Sequence, residues 1–291
     1  MRVAVVGAGF AGLAAAYQLS QHHAVTLFDA KGIGGGASGV SSGLLHPYPG
    51  EKGRRSWHAE EAIAATKELL RISEEMMGKP VANYNGILRL GPCLNPGSDV
   101  EKLGEDRYLI QSGITVFTEL YLEGLWRGCE KKGVKLVLQK ITSLQELDAF
   151  DQVVLAMGPG IRDIPQNLKI NFVKGQALTC SLDRPLERSI SAKRYTALTA
   201  RKEICHIGST YEREFIDELP NIEVAKKLLH PDATVLDCRA GVRVTNPAHY
   251  FPIVEKINPK TWVMTALGSR GLLYHAFLAS SLEKLCCTGH S

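Results

Sequence analysis

The sequence has no uninterrupted apolar run of roughly 18 residues beyond its first twenty, so it offers no evident membrane span. It has no Cys-x-x-Cys pair and no zinc-finger spacing, although it carries seven cysteines: Cys93, Cys129, Cys180, Cys205, Cys238, Cys286 and Cys287. An odd set, with adjacent Cys286 and Cys287 poorly placed to bridge each other, reads as reduced thiols filling a core in a reducing, cytoplasmic compartment. Charge of one sign is scarce. Thirty-four Lys and Arg against 30 Asp and Glu leave +4, which argues against a dedicated nucleic-acid binder without excluding a local basic patch. Internal repeats, low-complexity tracts and Ser-His-Asp or Cys-His constellations are also missing. What remains is an ordinary globular composition, 45% hydrophobic and 22% charged over 291 residues. That length exceeds the roughly 250 residues at which single cores stop growing, so one large or two interleaved domains are expected.

The first thirty residues carry the strongest pattern. Val3 to Val6 is a short β-branched run suited to a buried strand, Leu13 to Leu19 with Ala14, Ala15 and Ala16 is a good helix former, and Ala24 to Phe28 reads as a second strand. Between the first strand and the helix stand Gly7, Gly9 and Gly12, with Phe10 and Ala11 between the last two. A secretory signal peptide would need an unbroken apolar core, which these glycines interrupt. The spacing G-x-G-x-x-G is instead the dinucleotide fingerprint: a tight turn, a close backbone approach to pyrophosphate, and close helix–strand packing. The helix N-terminus adds unpaired N–H groups and partial positive charge. Asp29, ending the second strand, is placed to accept hydrogen bonds from ribose hydroxyls.

Residues 32 to 45 follow too soon for another crossover helix of a plain NAD domain. They run Gly-Ile-Gly-Gly-Gly-Ala37-Ser38-Gly39-Val-Ser-Ser-Gly43-Leu44-Leu45. Small residues with free backbone N–H groups suit a second phosphate cradle and a tight path past a flat ring, which favours FAD.

On Gly7, Gly9, Gly12, Asp29, Ala37, Ser38 and Gly39 the sequence resembles the D-amino-acid oxidase superfamily of FAD enzymes, which includes glycine oxidase, sarcosine oxidase and D-amino-acid dehydrogenase. The resemblance implies an α/β fold: a Rossmann-type FAD-binding domain with an inserted, mixed-sheet α+β substrate domain. It places FAD binding in about residues 1–75, 118–163 and 236–291, and the substrate domain in 76–117 and 164–235. The segment from Tyr121 to Gly133 reads as a helix followed by a strand, and the resemblance puts Ile141, just after that strand, near the adenine. Val153 to Gly160, with Ala156 and Gly158, resembles the strand and small-residue turn that closes the FAD domain. Lys174-Gly175-Gln176 resembles a turn opening the second substrate segment. Ala240-Gly241-Val242-Arg243 resembles the family's A-G-L-R segment, although Val244, His249 and Glu255 stand where the family has proline, an acid and glycine. Thr265 to Leu273 contains Gly268, Ser269, Arg270, Gly271, Leu272 and Leu273, the position of the last glycine-rich turn at the flavin.

The implied chemistry is oxidation of a C–N bond in an amino acid or secondary amine by hydride transfer to flavin N5, with oxygen or a quinone as electron acceptor. No metal is called for. Arg243 is the expected carboxylate anchor, because its planar fork matches a carboxylate bidentately; the alternative is a structural salt bridge within the sheet. Arg270 either contacts substrate or flavin or faces solvent before a helix. His249 and Tyr250 line the site or lie on plain strand surface. His46, before Pro47, is expected to cap or pack, since no covalent flavin-attachment pattern is present. Trp57, Trp126 and Trp262 are expected in the core. The charges between Glu60 and Met77 read as a solvated helix face.

A narrower resemblance rests on Gly208-Ser-Thr-Tyr-Glu-Arg213, Gly175-Gln176 and Gly268 to Gly271. These are similar to the oxidase half of the bifunctional tRNA wobble-uridine enzyme MnmC, which implies tRNA as an alternative partner. Arg54, Arg55, Arg127 and Lys131 would then supply phosphate contacts. A third alternative is a non-catalytic FAD-binding protein.

Overall fold

The computed structural model of the chain describes residues 1–165, 167–230, 232–249 and 251–288, with side chains up to Lys284. The first part runs β1 (Arg2–Val6), α1 (Phe10–Leu19), β2 (Ala24–Asp29), β3 (Leu44–Leu45), α2 (Ala59–Met77), β4 (Ala82–Asn83) and β5 (Ile87–Leu90). It continues with β6 (Val100–Gly104), β7 (Arg107–Ile110), β8 (Ile114–Val116), α3 (Thr118–Lys131), β9 (Lys135–Leu138) and β10 (Gln152–Leu155). Then come β11 (Asn171–Leu182), β12 (Ser189–Ser191), β13 (Tyr195–Leu198), β14 (Ile204–Gly208) and the short α4 (Ile222–Ala225). The last elements are β15 (Ala233–Thr245), β16 (Ile253–Asn258), β17 (Thr261–Thr265) and α5 (Gly271–Thr288).

Two sheets organise the chain. The first has six strands in the order β16-β17-β10-β1-β2-β9, with only β16 antiparallel to its neighbour. Its central strands are hydrophobic on both faces, as a covered parallel sheet requires. Val3 and Val5 meet one layer built from α1, α2, α3 and α5, in which Ala14, Ala15 and Ala16 let α1 approach closely. Ala4 and Val6 meet a second layer with Phe28, Leu147 and Ile161. The charged residues of α2 lie outside its buried face of Ala62, Ile63, Thr66, Leu69 and Leu70, and Gly78 ends the helix in the left-handed conformation.

The second sheet has eight strands in the order β15-β11-β14-β13-β12-β5-β7-β6. β15 pairs with β11 from Thr245 opposite Asn171 to Ala233 opposite Leu182. Residues 236–245, which the sequence reading grouped with the FAD-binding segments, are thus strand residues of this sheet, paired with a distant strand. Lys174-Gly175-Gln176 likewise lies inside β11 and forms no turn. Gly175 leaves room there for Arg243, which crosses it: a Cβ would stand 2.5 Å from its Nη2 and the guanidinium would have to move. A third, small sheet has the order β3-β8-β4.

Trp126 and Trp262 pack against the main core. Trp57 does not: it is 45% exposed and rests on the rings of His58, Phe251, Tyr274 and Phe277, because the loop holding it crosses the outside of α5. Cys93, Cys129, Cys180 and Cys205 are buried free thiols, and the side chains of Cys286 and Cys287 lie outside the described residues. Among the described residues no helix is long and apolar enough to cross a membrane, and no three potential metal ligands cluster.

Arg89, on β5, is buried with no carboxylate partner among the described residues. Its guanidinium donates to the carbonyls of Pro92 (2.7 Å), Glu51 (2.9 Å) and Tyr48 (3.4 Å), pinning the 47–54 loop to the eight-stranded sheet. Arg89→Met should orphan those carbonyls and cost about 3 kcal/mol. Denaturant unfolding checks this; an unchanged midpoint would deny Arg89 that role.

Candidate active site

The β1–α1 turn is built by exclusion. Gly7 has φ +109° and donates its N–H to the Phe28 carbonyl at 2.7 Å. A Cβ on Gly12 would fall on the Gly7 carbonyl oxygen, so α1 can sit this close only without one. α1 starts at Phe10 behind Gly9, with no side-chain cap at Gly9 and no acidic residue in its first turn. That leaves backbone N–H groups and a positive helix end facing outward. Ser38 faces the same end: its Oγ accepts the Phe10 N–H at 3.0 Å. Ala11 is partly exposed on this first turn.

Asp29 ties two turns together. One carboxylate oxygen accepts the N–H of Ala8 (2.7 Å), the other those of Lys31 (2.7 Å) and Gly32 (2.9 Å). A lone pair on the first oxygen stays free for a ribose hydroxyl. Asp29→Ala should therefore loosen FAD retention on the order of tenfold or more, the cost of charge-assisted hydrogen bonds. The flavin-to-protein absorbance ratio after desalting checks it; full retention would confine Asp29 to the turn.

The glycine-rich loop closes over this end. Gly34 donates to the Ala8 carbonyl at 2.9 Å. Gly34, Ala37, Gly39 and Val40 line a cleft of about 400 Å³ together with Pro159 and Gly241. Gly43 is hydrogen-bonded to Val116, and Leu44 and Leu45 form β3 against β8, anchoring the loop's exit. On the first sheet, Ala156 packs under Gly7, Gly158 starts the turn after β10, and Ile141 is buried in one cluster with Phe28 and Leu155.

The eight-stranded sheet supplies the opposite side. Gly241 in β15 packs on Ala37. Two residues on, the partly buried Arg243 donates from Nη2 to the Thr210 carbonyl at 3.2 Å, and its guanidinium carbon is 5.7 Å from the Tyr211 ring centroid. No carboxylate lies within salt-bridge distance of it among the described residues. Burial pulls its pKa down from the usual arginine range, with the Tyr195 and Tyr211 phenols opposing. Tyr195 on β13 stands over Gly208 and is pushed up to about 12 by burial, against the opposing charges of Arg243 and Arg239, so its phenol stays a hydrogen-bond donor. Arg239 is already engaged, with Glu119 at 2.7 Å and the Gly39 carbonyl at 3.4 Å.

The turn after β17 completes the ring of contacts. Gly268 lies beside Thr245 at the end of β15, and Gly271, where α5 starts, lies against Phe10. Ser269 is exposed, Leu272 and Leu273 are buried, and Arg270 carries its charge near the Tyr274 phenol. The glycine-rich loop thus meets the strand that carries Arg243 where Ala37 packs on Gly241, and the last turn meets the first where Gly271 lies against Phe10. His249 sits on an exposed turn, its Nδ1 accepting the Phe251 N–H, and Tyr250 lies outside the described residues. His46 is buried, accepts the Tyr48 N–H through Nδ1, and is held down at about 3 by burial first and Arg89 second. Sequence reasoning missed Tyr195 and met Thr210 only inside the Gly208–Arg213 segment, without a role. A structural clue was a pair of glycines, 175 and 208, inside strands that leave room for larger neighbours.

A cleft between a dinucleotide-binding sheet and a second sheet, whose Arg243 has no carboxylate partner among the described residues, is the setting of a flavin-dependent oxidoreductase, and the family match says the same. The chain belongs to the DAO family of FAD-dependent oxidoreductases, whose model matches residues 2–92 and 94–283. No curated protein sequence matches it. Among solved structures it is similar to glycine oxidase from Geobacillus kaustophilus, with TM-score 0.78 and 18% identity over 100% of this chain and 96% of that one. It is also similar to iminodiacetate oxidase from Chelativorans sp. BNC1 (0.79, 17%, 98% and 95%) and to L-proline dehydrogenase from P. horikoshii (0.78, 14%, 100% and 94%). At these identities the likeness is one of fold. FAD is the family's cofactor, and the residues present fit it: a helix N-terminus with no acidic residue in its first turn and a serine hydroxyl on its first N–H, glycines that keep Cβ atoms away, and an acid with a spare lone pair.

Proposed function

We propose that the protein oxidises the C–N bond of a carboxylate-bearing amine, an amino acid or an N-substituted relative of one. FAD, when bound, supplies the hydride acceptor at N5. Gly7, Gly9, Gly12 and Ser38 would hold its pyrophosphate, Asp29 its ribose, and the amides of Gly271, Leu272 and Leu273 the edge of its ring. Arg243 is the observation that carries the reading. A partly buried guanidinium with one carbonyl and one aromatic neighbour lacks the anion its charge calls for. A substrate carboxylate supplies that anion, and the Tyr195 hydroxyl beside it donates a second hydrogen bond. Held at both oxygens, the substrate can only present its α-carbon in one orientation, which is where rate is gained. The sheets on either side keep water from the reacting carbon.

Tyr211 favours a second reading, a tRNA wobble-uridine oxidase. Its ring is 59% exposed, and the guanidiniums of Arg213 and Arg243 each lie 5.7 Å from its centroid, a surface on which a base can stack. Anaerobic stopped-flow reduction separates the readings. Free D-amino acids, glycine or sarcosine should bleach the flavin absorbance, while the same amines without the carboxylate should not. Bleaching only by modified tRNA, with salt-dependent binding, would favour the second reading. No bleaching by any of them would point to a non-catalytic FAD-binding protein.

A further inference from the structure

Where α1 and α5 begin, three buried side chains meet that the proposed chemistry does not use. Tyr121 of α3 and His275 of α5 are fully buried, and the Tyr121 hydroxyl lies 2.6 Å from His275 Nε2. His275 Nδ1 lies 2.9 Å from the Leu272 carbonyl. A carbonyl only accepts, so Nδ1 carries the hydrogen and Nε2 accepts from the phenol. Burial lowers the imidazole pKa to about 4, which keeps it in this neutral form. From the other side, buried Thr66 of α2 donates to the Leu272 and Leu273 carbonyls at 3.3 and 3.4 Å. The Phe10 ring, first residue of α1, touches the set, with centroids 6.0 Å from Tyr121 and 5.4 Å from His275.

The first turn of α5 is thereby fastened to α2 and α3 and stacked on α1. A carbonyl in a helix's opening turn keeps a second lone pair beside its intrahelical bond and can accept from side chains as well. Here two side chains donate at Leu272, next to Gly271, and Gly271 itself lies against Phe10. We propose that Tyr121, His275 and Thr66 are positioning residues that set the N-terminal amides of α5 relative to the N-terminus of α1, and so tune the flavin that both helix ends face. The proposal rests on the reading that the amides of Gly271, Leu272 and Leu273 meet the flavin ring. A helix N-terminus stabilises negative charge, which grows on the ring as it is reduced.

The test compares holoproteins. Tyr121→Phe keeps the ring contact with Phe10 and removes only the hydroxyl. It should weaken FAD binding on the order of three- to tenfold, shift the visible flavin bands and make the midpoint potential more negative. Thr66→Val should move the potential the same way, and Thr66→Ser should restore it. Tyr121→Phe with His275→Leu removes both polar partners. It should recover thermal stability, since no group is left orphaned, while the potential stays shifted. Unchanged bands and potential in Tyr121→Phe and Thr66→Val, with only a lower melting temperature, would overturn the proposal. Potential and spectrum are read without substrate. A holoprotein that no amine bleaches would therefore defeat the amine-oxidase reading and leave this one standing or falling on its own result.

Discussion

Arg243→Ala should bind FAD like the parent chain and lose about 10²- to 10⁴-fold in kcat/KM toward a carboxylate-bearing amine. The range is the kinetic form of about 3–5 kcal/mol, the penalty for leaving a buried charge unpaired. Here the stranded charge is the substrate's carboxylate, facing a Tyr195 hydroxyl that can answer only one of its oxygens. Cofactor retention should survive, because among the described residues the Arg243 side chain meets the Thr210 carbonyl and the Tyr211 ring and bonds to no glycine-turn residue. Arg243→Lys keeps the charge and loses the planar fork, so it should recover part of the loss, and most of it as KM. Flavin reduction rates against substrate concentration decide the matter, and kinetics equal to wild type would remove Arg243 from the site.

Gly12→Ala should be harsher, and on the protein itself. The added methyl would overlap the Gly7 carbonyl, which is backbone held by the Phe28 pairing of the same turn and has no rotamer to escape into. Either α1 lifts off the sheet or the turn opens, at several kcal/mol, at or beyond the top of the range of about 1–3 kcal/mol for overpacking. The purified variant should be colourless and melt well below the parent. By contrast a methyl on Gly9 would stand 2.7 Å from the Ser38 hydroxyl, a side chain that can swing away, so Gly9→Ala should fold and lose mainly FAD affinity. A yellow Gly12→Ala protein with parental melting would mean that the turn is not built as described.

What the sequence made legible was local. The β1–α1–β2 unit could be read because strand, glycine spacing, helix and Asp29 all fall within thirty residues and each has a mechanical reason. Arg243 was visible through a four-residue resemblance, but its surroundings were not. Tyr195 reaches the site because β13 pairs with β14 and β14 with β11, and those registers have no local mark. The same limit explains residues 236–245, whose sheet is chosen by pairing with β11. Lys174-Gly175-Gln176 misled for a different reason. Glycine in a short polar context resembles a turn, whereas in the middle of a strand it leaves space for a long side chain from the next one. Trp57 was expected inside by its size, and its place against the outside of α5 depends on where the 47–57 loop is pinned by Arg89.

The apolar face of α1, with Leu13, Ala16 and Leu19, packs into the same core as Leu272, Leu273 and Ala279 of α5. All other strands and helices after α1 are made before α5, so at roughly 5–20 residues per second α1 stays unpartnered on that face for at least about ten seconds of synthesis. The cofactor crevice therefore cannot close before α5 has emerged, and FAD can act as a folding ligand only from then on.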